Sequence, residues 1–168
     1  IDFTPAMVDK ARANAEVRGF NNVEFRQGDI EHMPISANVA DVIVSNCVLN
    51  LVPNKNGVFQ EIYRVLKPGG HFSISDVVLI GALPDGLRKD AEMYAGCVAG
   101  AIQKQVYMEL IDANGFENAI IQKEKAIVIP DDILKNYLSQ DEINSFKTGD
   151  TGIFSIIVFA QKPINQNQ

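Results

Sequence analysis

The sequence predicts an α/β domain built on a doubly wound, mostly parallel sheet with an antiparallel hairpin at its C-terminal end. Three observations carry that expectation. DVIVS (residues 41–45) and HFSISDVV (residues 71–78) are apolar runs of strand length, and the first is nearly continuous, as in a strand buried on both faces of a parallel sheet. Segments of helical periodicity lie between the strand-like runs, the pattern of βα units joined by right-handed crossovers. The last two β-rich stretches, 119–129 and 152–162, are joined by a polar stretch and suit an antiparallel pair.

Taken in order, the chain opens on a helix start. Thr4 stands at the N-cap, Pro5 at the first helical position, and Met7, Val8, Ala11 and Ala15 share one face of a helix that runs to about Arg18. Gly19 suits the left-handed residue that ends it. VEFRQ (residues 23–27) alternates as a short strand does, and GDIEHMP (residues 28–34) is the loop after it. Beyond DVIVS, Val58, Phe59, Ile62, Val65 and Leu66 recur at helical spacing from about Lys55, until Lys67-Pro68-Gly69-Gly70 stops the helix. Residues 83–98 and 103–114 read as two further helices, the second closed by Gly115. In GIFSIIVFAQK (residues 152–162), Ile153, Ser155, Ile157 and Phe159 alternate with Phe154, Ile156 and Val158. PINQNQ (residues 163–168) follows as a frayed tail, so the expected division is a domain over 1–162 and a tail over 163–168.

Composition narrows the classes. A chain of 168 residues suits one domain, and a net charge of -6 repels a nucleic acid backbone. Asp41, Asn46 and Asn50 interrupt the most apolar region, so no run approaches the roughly 20 apolar residues of a membrane span. IDFTPAM has neither the basic nor the apolar part of a secretory signal, which makes a cytoplasmic setting the expectation, and there Cys47 and Cys97 stay reduced. His32 and His71 share no metal-ligand spacing with each other or with the cysteines, so no metal centre is expected.

In an open α/β sheet, ligands bind outside the carboxyl ends of the strands. Four places qualify: Asp2, Asp29, Asn46 with Cys47, and Asp76. An ionised carboxylate is a pure acceptor, so Asp2 suits the two ribose hydroxyls of a nucleoside, with a solvated terminal carboxylate or a helix cap as the alternative. Asp29 suits the exocyclic amine of adenine, with the backbone N–H of Ile30 or Glu31 against a ring nitrogen; a plain Gly-Asp turn is its alternative. For each cysteine the alternative to a site role is a small buried hydrophobe.

GDIEHMP, DVIVSNCVLNL and EIYRVLKPGGHFSISDV together resemble the second half of class I S-adenosylmethionine-dependent methyltransferases, with their Rossmann-like sheet. VLKPGG is shared with the quinone C-methyltransferases. SNCVLNLVPNK, YAGCVAGA and IDFTPAM are more selective and resemble the arsenite methyltransferase family. That resemblance implies S-adenosyl-L-methionine as cofactor and arsenite or its thiol conjugate as small-molecule substrate. It makes Cys47 and Cys97 arsenic-binding thiols and sets Asp2, Thr4, Met7, Asp29, Ile30, Glu31 and Asn46 on the cofactor side. Trivalent arsenic is soft and thiophilic, which suits paired thiolates. Against the family pattern, the chain begins at the second strand, without the first strand, its glycine-rich loop or a further upstream cysteine. A truncated domain of impaired activity is therefore expected. The sheet would either keep a gap or pair its third and fourth strands directly, and an open strand edge invites self-association. A quinone or other small-molecule C-methyltransferase and a non-catalytic α/β interaction module are the competing readings.

Overall fold

The computed structural model describes residues 1–83, 86–87, 98, 100–148 and 151–164. In chain order the elements are α1 (Pro5–Arg18), β1 (Ala40–Asn46), a 3-10 turn (Leu49–Leu51), α2 (Lys55–Val65), β2 (Leu66–Ile80), β3 (Ile102–Gln103), α3 (Lys104–Ala113), β4 (Glu117–Ala126), α4 (Asp131–Leu134), α5 (Gln140–Thr148) and β5 (Gly152–Gln161). Among the described residues the strands form one sheet in the order β1-β2-β5-β4, with the short β3 also on β2. β1 and β3 run parallel to β2 along one of its edges, and β5 runs antiparallel along the other. β4 closes that side, antiparallel to β5. The expected mixture of parallel strands and a C-terminal antiparallel pair is therefore present.

Local sequence explains the elements that hold. Pro5 begins α1, and Gly19, at φ 69°, ends it by donating its N–H to Glu16 O. Asn54 caps α2 by accepting the Gly57 N–H at 3.0 Å. Leu66 then turns to extended geometry, and the Pro68-Gly69-Gly70 stretch is carried inside β2. It makes room for itself by slipping register: Ala40 pairs with Leu66, and Val42 already with His71. Gly115, at φ 81°, follows α3 as expected.

The two faces of the sheet bury different sets. On one, Phe59 and Ile62 of α2 and Tyr107 and Ile111 of α3 pack on Phe72, Ile74, Val78, Ile156 and Val158. Phe59 meets Tyr107 edge-on, with ring centres 5.5 Å apart. On the other, Leu134 of α4 and Ile143 and Phe146 of α5 cover Val77, Leu79 and Ile153. Each such side chain contributes roughly 1.5–3 kcal/mol by leaving water. At the base of the sheet, Lys162 threads its ammonium into Asn38 Oδ1, Tyr63 O and Leu66 O at 2.7–2.8 Å, which fastens the C-terminal end of β5 to the start of β2.

Three expectations change, and a fourth lies outside the described residues. Residues 23–27 form no ladder: Gln27 makes a single parallel bridge with Asp2. DVIVS is a strand, but an edge strand, with Val42 50% and Val44 75% exposed. An apolar run records what a strand can bury, and here β2 is its only partner among the described residues. Among the described residues the third strand-like segment does not pair with β1. The polar stretch before β5 holds two short helices, α4 and α5, whose few apolar residues all point at the sheet. The helix expected over 83–98 falls almost wholly outside the described residues.

Candidate functional site

Asp2 reaches the carboxyl side of the sheet through its bridge to Gln27, donating its N–H to Arg26 O and accepting from Gly28 N–H. Its Oδ1 accepts the Thr4 N–H at 2.8 Å, which orients the carboxylate and satisfies an amide at the start of α1. Asp29 is held the same way: Oδ1 accepts the Glu31 N–H at 2.9 Å and closes an Asx turn. In each carboxylate Oδ2 is the oxygen left for a ligand. The Glu31 amide being spent on Asp29, Ile30 is the residue of the pair whose N–H stays available.

These groups line one cleft of about 460 Å³, with Asp2 and Phe3 on one wall, Asp29, Ile30 and Glu31 on the second, and Val48 and Leu51 on the third. Phe3 and Leu51 are 77% and 65% exposed, an apolar surface on which a flat ring can rest. Asn46 lies in an adjoining cleft of about 300 Å³ that shares Ile1, Ile30 and Val48 with the first. Thr4 enters through its backbone, and Met7, on the exposed face of α1, is 52% exposed; neither lines the cleft.

Cys47 follows the last residue of β1. Its N–H donates to Ser75 O at 2.7 Å, and its φ is 56°, in the left-handed region that a residue with a Cβ rarely enters. Such a backbone costs of order 1–3 kcal/mol and persists where the surroundings enforce it. The thiol is half-buried and not part of a disulfide. Cys97 lies outside the described residues.

Below the turn sits a buried polar group. Asp76 is fully buried, Tyr107 Oη donates to its Oδ2 at 3.1 Å, and among the described residues its Oδ1 has no hydrogen-bond partner. Burial pushes Asp76 up to about 6, against the downward pull of Tyr107, the amides of Asn50 and Val77, and Lys55. Burial and the Asp76 charge also push the Tyr107 hydroxyl well above its ordinary value. Asn50, 2% exposed, binds the backbone of Val77 in both directions, Nδ2 to Val77 O at 2.8 Å and Oδ1 from Val77 N–H at 3.4 Å. The ammonium of the buried Lys55 donates to Val52 O at 3.1 Å, and burial lowers its pKa.

The match to known proteins agrees with this layout. Residues 1–115 match the model of a family described as a methyltransferase domain. The chain belongs to that family. An arsenite methyltransferase of Halobacterium salinarum is 45% identical to this methyltransferase domain over 117 residues, 70% of this chain and 30% of that protein. One of Aquipseudomonas alcaligenes is 38% identical over 145 residues, 82% of this chain and 42% of that protein. The crystal structure of an arsenic(III) S-adenosylmethionine methyltransferase from Chlamydomonas reinhardtii superposes with a TM-score of 0.78 at 30% identity, covering 99% of this chain and 56% of that one. The methyltransferase domain thus spans less than half the length of the curated relatives it matches.

Sequence reasoning had not singled out Asn50, Tyr107 or Lys55. A signal existed for Asn50, an amide inside the apolar stretch CVLNLV, where burial demands a partner. None existed for Tyr107, whose role depends on α3 crossing β2 at Asp76. Gly100 lies against the same turn, since a Cβ there would stand 1.6 Å from the Asn50 carbonyl oxygen.

Proposed function

We propose that the chain is the nucleoside- and thiol-bearing part of an S-adenosyl-L-methionine-dependent enzyme that methylates trivalent arsenic, presented as arsenite or its thiol conjugate. The observation that carries the reading is the position of Cys47: a left-handed turn at the end of β1, next to Val48, a wall of the cleft that Asp2 and Asp29 share. The likeness to arsenite methyltransferases supports the same substrate.

The donor set of the cleft fits a purine nucleoside. Asp2 Oδ2 would accept from ribose hydroxyls, Asp29 Oδ2 from an exocyclic amine, and the Ile30 N–H would meet a ring nitrogen, with Phe3 and Leu51 lining the same cleft for the base. Bound there, the cofactor supplies a methyl group made electrophilic by its sulfonium. The chain's own part is positional. Cys47, with Cys97 as its partner thiolate, grips the arsenic through soft sulfur and keeps its lone pair aimed along the line of attack. Holding two reactants in near-attack geometry lowers a barrier by roughly 7–11 kcal/mol in favourable cases, and no proton needs to move in the displacement.

The same reading makes residues 1–162 one domain and 163–168 a tail, sets the protein in the cytoplasm, where thiols stay reduced, and pairs the open edge of β1 with a second copy. Among the described residues no helix is long and apolar enough to cross a membrane. Titration with arsenite during alkylation tests the arsenic assignment: both thiols are expected to be protected. If neither is protected, arsenic is not the substrate.

A further inference from the structure

We propose that Asn50 is a positioning residue that sets the Cys47 thiol by locking the turn after β1 onto β2 and onto the main chain at Gly100. The inference rests on Cys47 being a substrate thiol, as proposed above, and adds the residue that holds it in place.

The edge of β2 that receives β1 is occupied in three successive steps. β1 pairs as far as Asn46 with Ser75, and the Cys47 N–H makes one more bond to Ser75 O. β3 takes over at Val78, opposite Ile102. Between them, among the described residues, Val77 has no strand beside it on this edge, and the side-chain amide of Asn50 supplies both the donor and the acceptor that a neighbouring strand would offer. Asn50 therefore stands in for one rung of the ladder. A buried amide so matched is expensive to misplace, because moving it strands two backbone groups and two side-chain groups without partners. Only Val48 and Leu49 separate it from Cys47.

A second contact fixes the turn from above. A Cβ on Gly100 would lie 1.6 Å from the Asn50 carbonyl oxygen and 2.7 Å from its carbonyl carbon, so two backbones are pressed together where no side chain fits. The turn is thus clamped between Val77 below and Gly100 above. Such a clamp explains how Cys47 keeps φ at 56°: with residue 46 fixed in β1 and residue 50 fixed on Val77, the three residues between must bridge a set span.

The test is a double-mutant cycle in the full chain. Asn50→Ala is expected to weaken arsenite binding about tenfold and to change the alkylation rate of Cys47 measured without arsenite, while unfolding stays cooperative. In a Cys47→Ser background, Asn50→Ala is expected to weaken arsenite binding no further; a merely structural role would impose the same loss in both backgrounds and overturn the proposal. Gly100→Ala and the isosteric Asn50→Asp, which turns a donor into an acceptor facing Val77 O, are read in the same way if Asn50→Ala fails to fold. An unchanged Cys47 alkylation rate in any folded Asn50 variant overturns the positioning role. Wild-type chain that binds no arsenite overturns the arsenic reading instead, and the alkylation rates still decide the role of Asn50.

Discussion

Tyr107 donates its hydroxyl to Asp76 Oδ2 at 3.1 Å, and both side chains are fully buried beneath the turn that carries Cys47. The pair joins α3 to β2 through a carboxyl group whose Oδ2 accepts the tyrosine hydrogen bond, while Oδ1 has no hydrogen-bond partner among the described residues. Because burial raises Asp76 from 3.8 to about 6, the folded chain holds this proton more tightly than the unfolded chain does. The contribution to stability is then fully present below pH 3.8 and is lost as the pH rises through about 6. Two pKa units correspond to about 3 kcal/mol as an upper figure. Asp76→Asn, which keeps an acceptor for Tyr107 and cannot ionise, is expected to raise the melting temperature at pH 8 and to flatten the fall in stability between pH 5 and 7. Thermal unfolding across that range checks it, and a variant as pH-dependent as wild type would show that another group governs the slope.

Cys47 sits at φ 56°, where glycine is at ease and alanine is not. Cys47→Gly is therefore expected to be more stable than Cys47→Ala by about 1 kcal/mol, the reverse of the order found in ordinary helix or strand. Chemical denaturation of the two variants measures the difference. Equal stabilities would mean that the turn relaxes once the thiol is gone.

Asp2 and Asp29 line the same cleft, and each has its Oδ1 held by a backbone amide, of Thr4 and of Glu31. Asp2→Ala and Asp29→Ala are each expected to weaken binding of S-adenosylhomocysteine by roughly 1.5–3 kcal/mol, the worth of hydrogen bonds to a charged group. Titration calorimetry reads this directly. Unaltered affinity in both variants would move the nucleoside elsewhere.

Val44 is 75% exposed on the edge strand β1. Val44→Lys is expected to leave stability within about 0.5 kcal/mol while reducing concentration-dependent association, because a charge on an open strand opposes pairing. Size-exclusion chromatography over a range of concentrations follows it. A wild-type chain that elutes as a monomer throughout would remove self-association through this edge.

Much of this architecture was legible in one dimension, for reasons that are local. Pro5 and Gly19 bracket α1 because their backbone preferences act on their own residues, and the spacing of Val58, Phe59 and Ile62 selects the face that α2 buries. The candidate carboxylates were legible too, since a carboxyl after a strand-like run marks the ligand side of any parallel sheet. The two short helices α4 and α5 escaped notice because each has too few apolar residues to establish a period, and the sheet beneath them supplies the rest.

By itself the sequence determined the class of the fold, the bounds of its longer elements, its methyltransferase motifs and which side chains have chemistry to offer. Only the tertiary structure decided that β1 is an edge strand, that residues 23–27 bridge rather than pair, that Tyr107 meets Asp76 and that Asn50 replaces a strand beside Val77. The physical reason is range. Backbone preference and periodicity act within a few residues, whereas a hydrogen bond between positions 31 or 27 residues apart exists only once the sheet has brought them together.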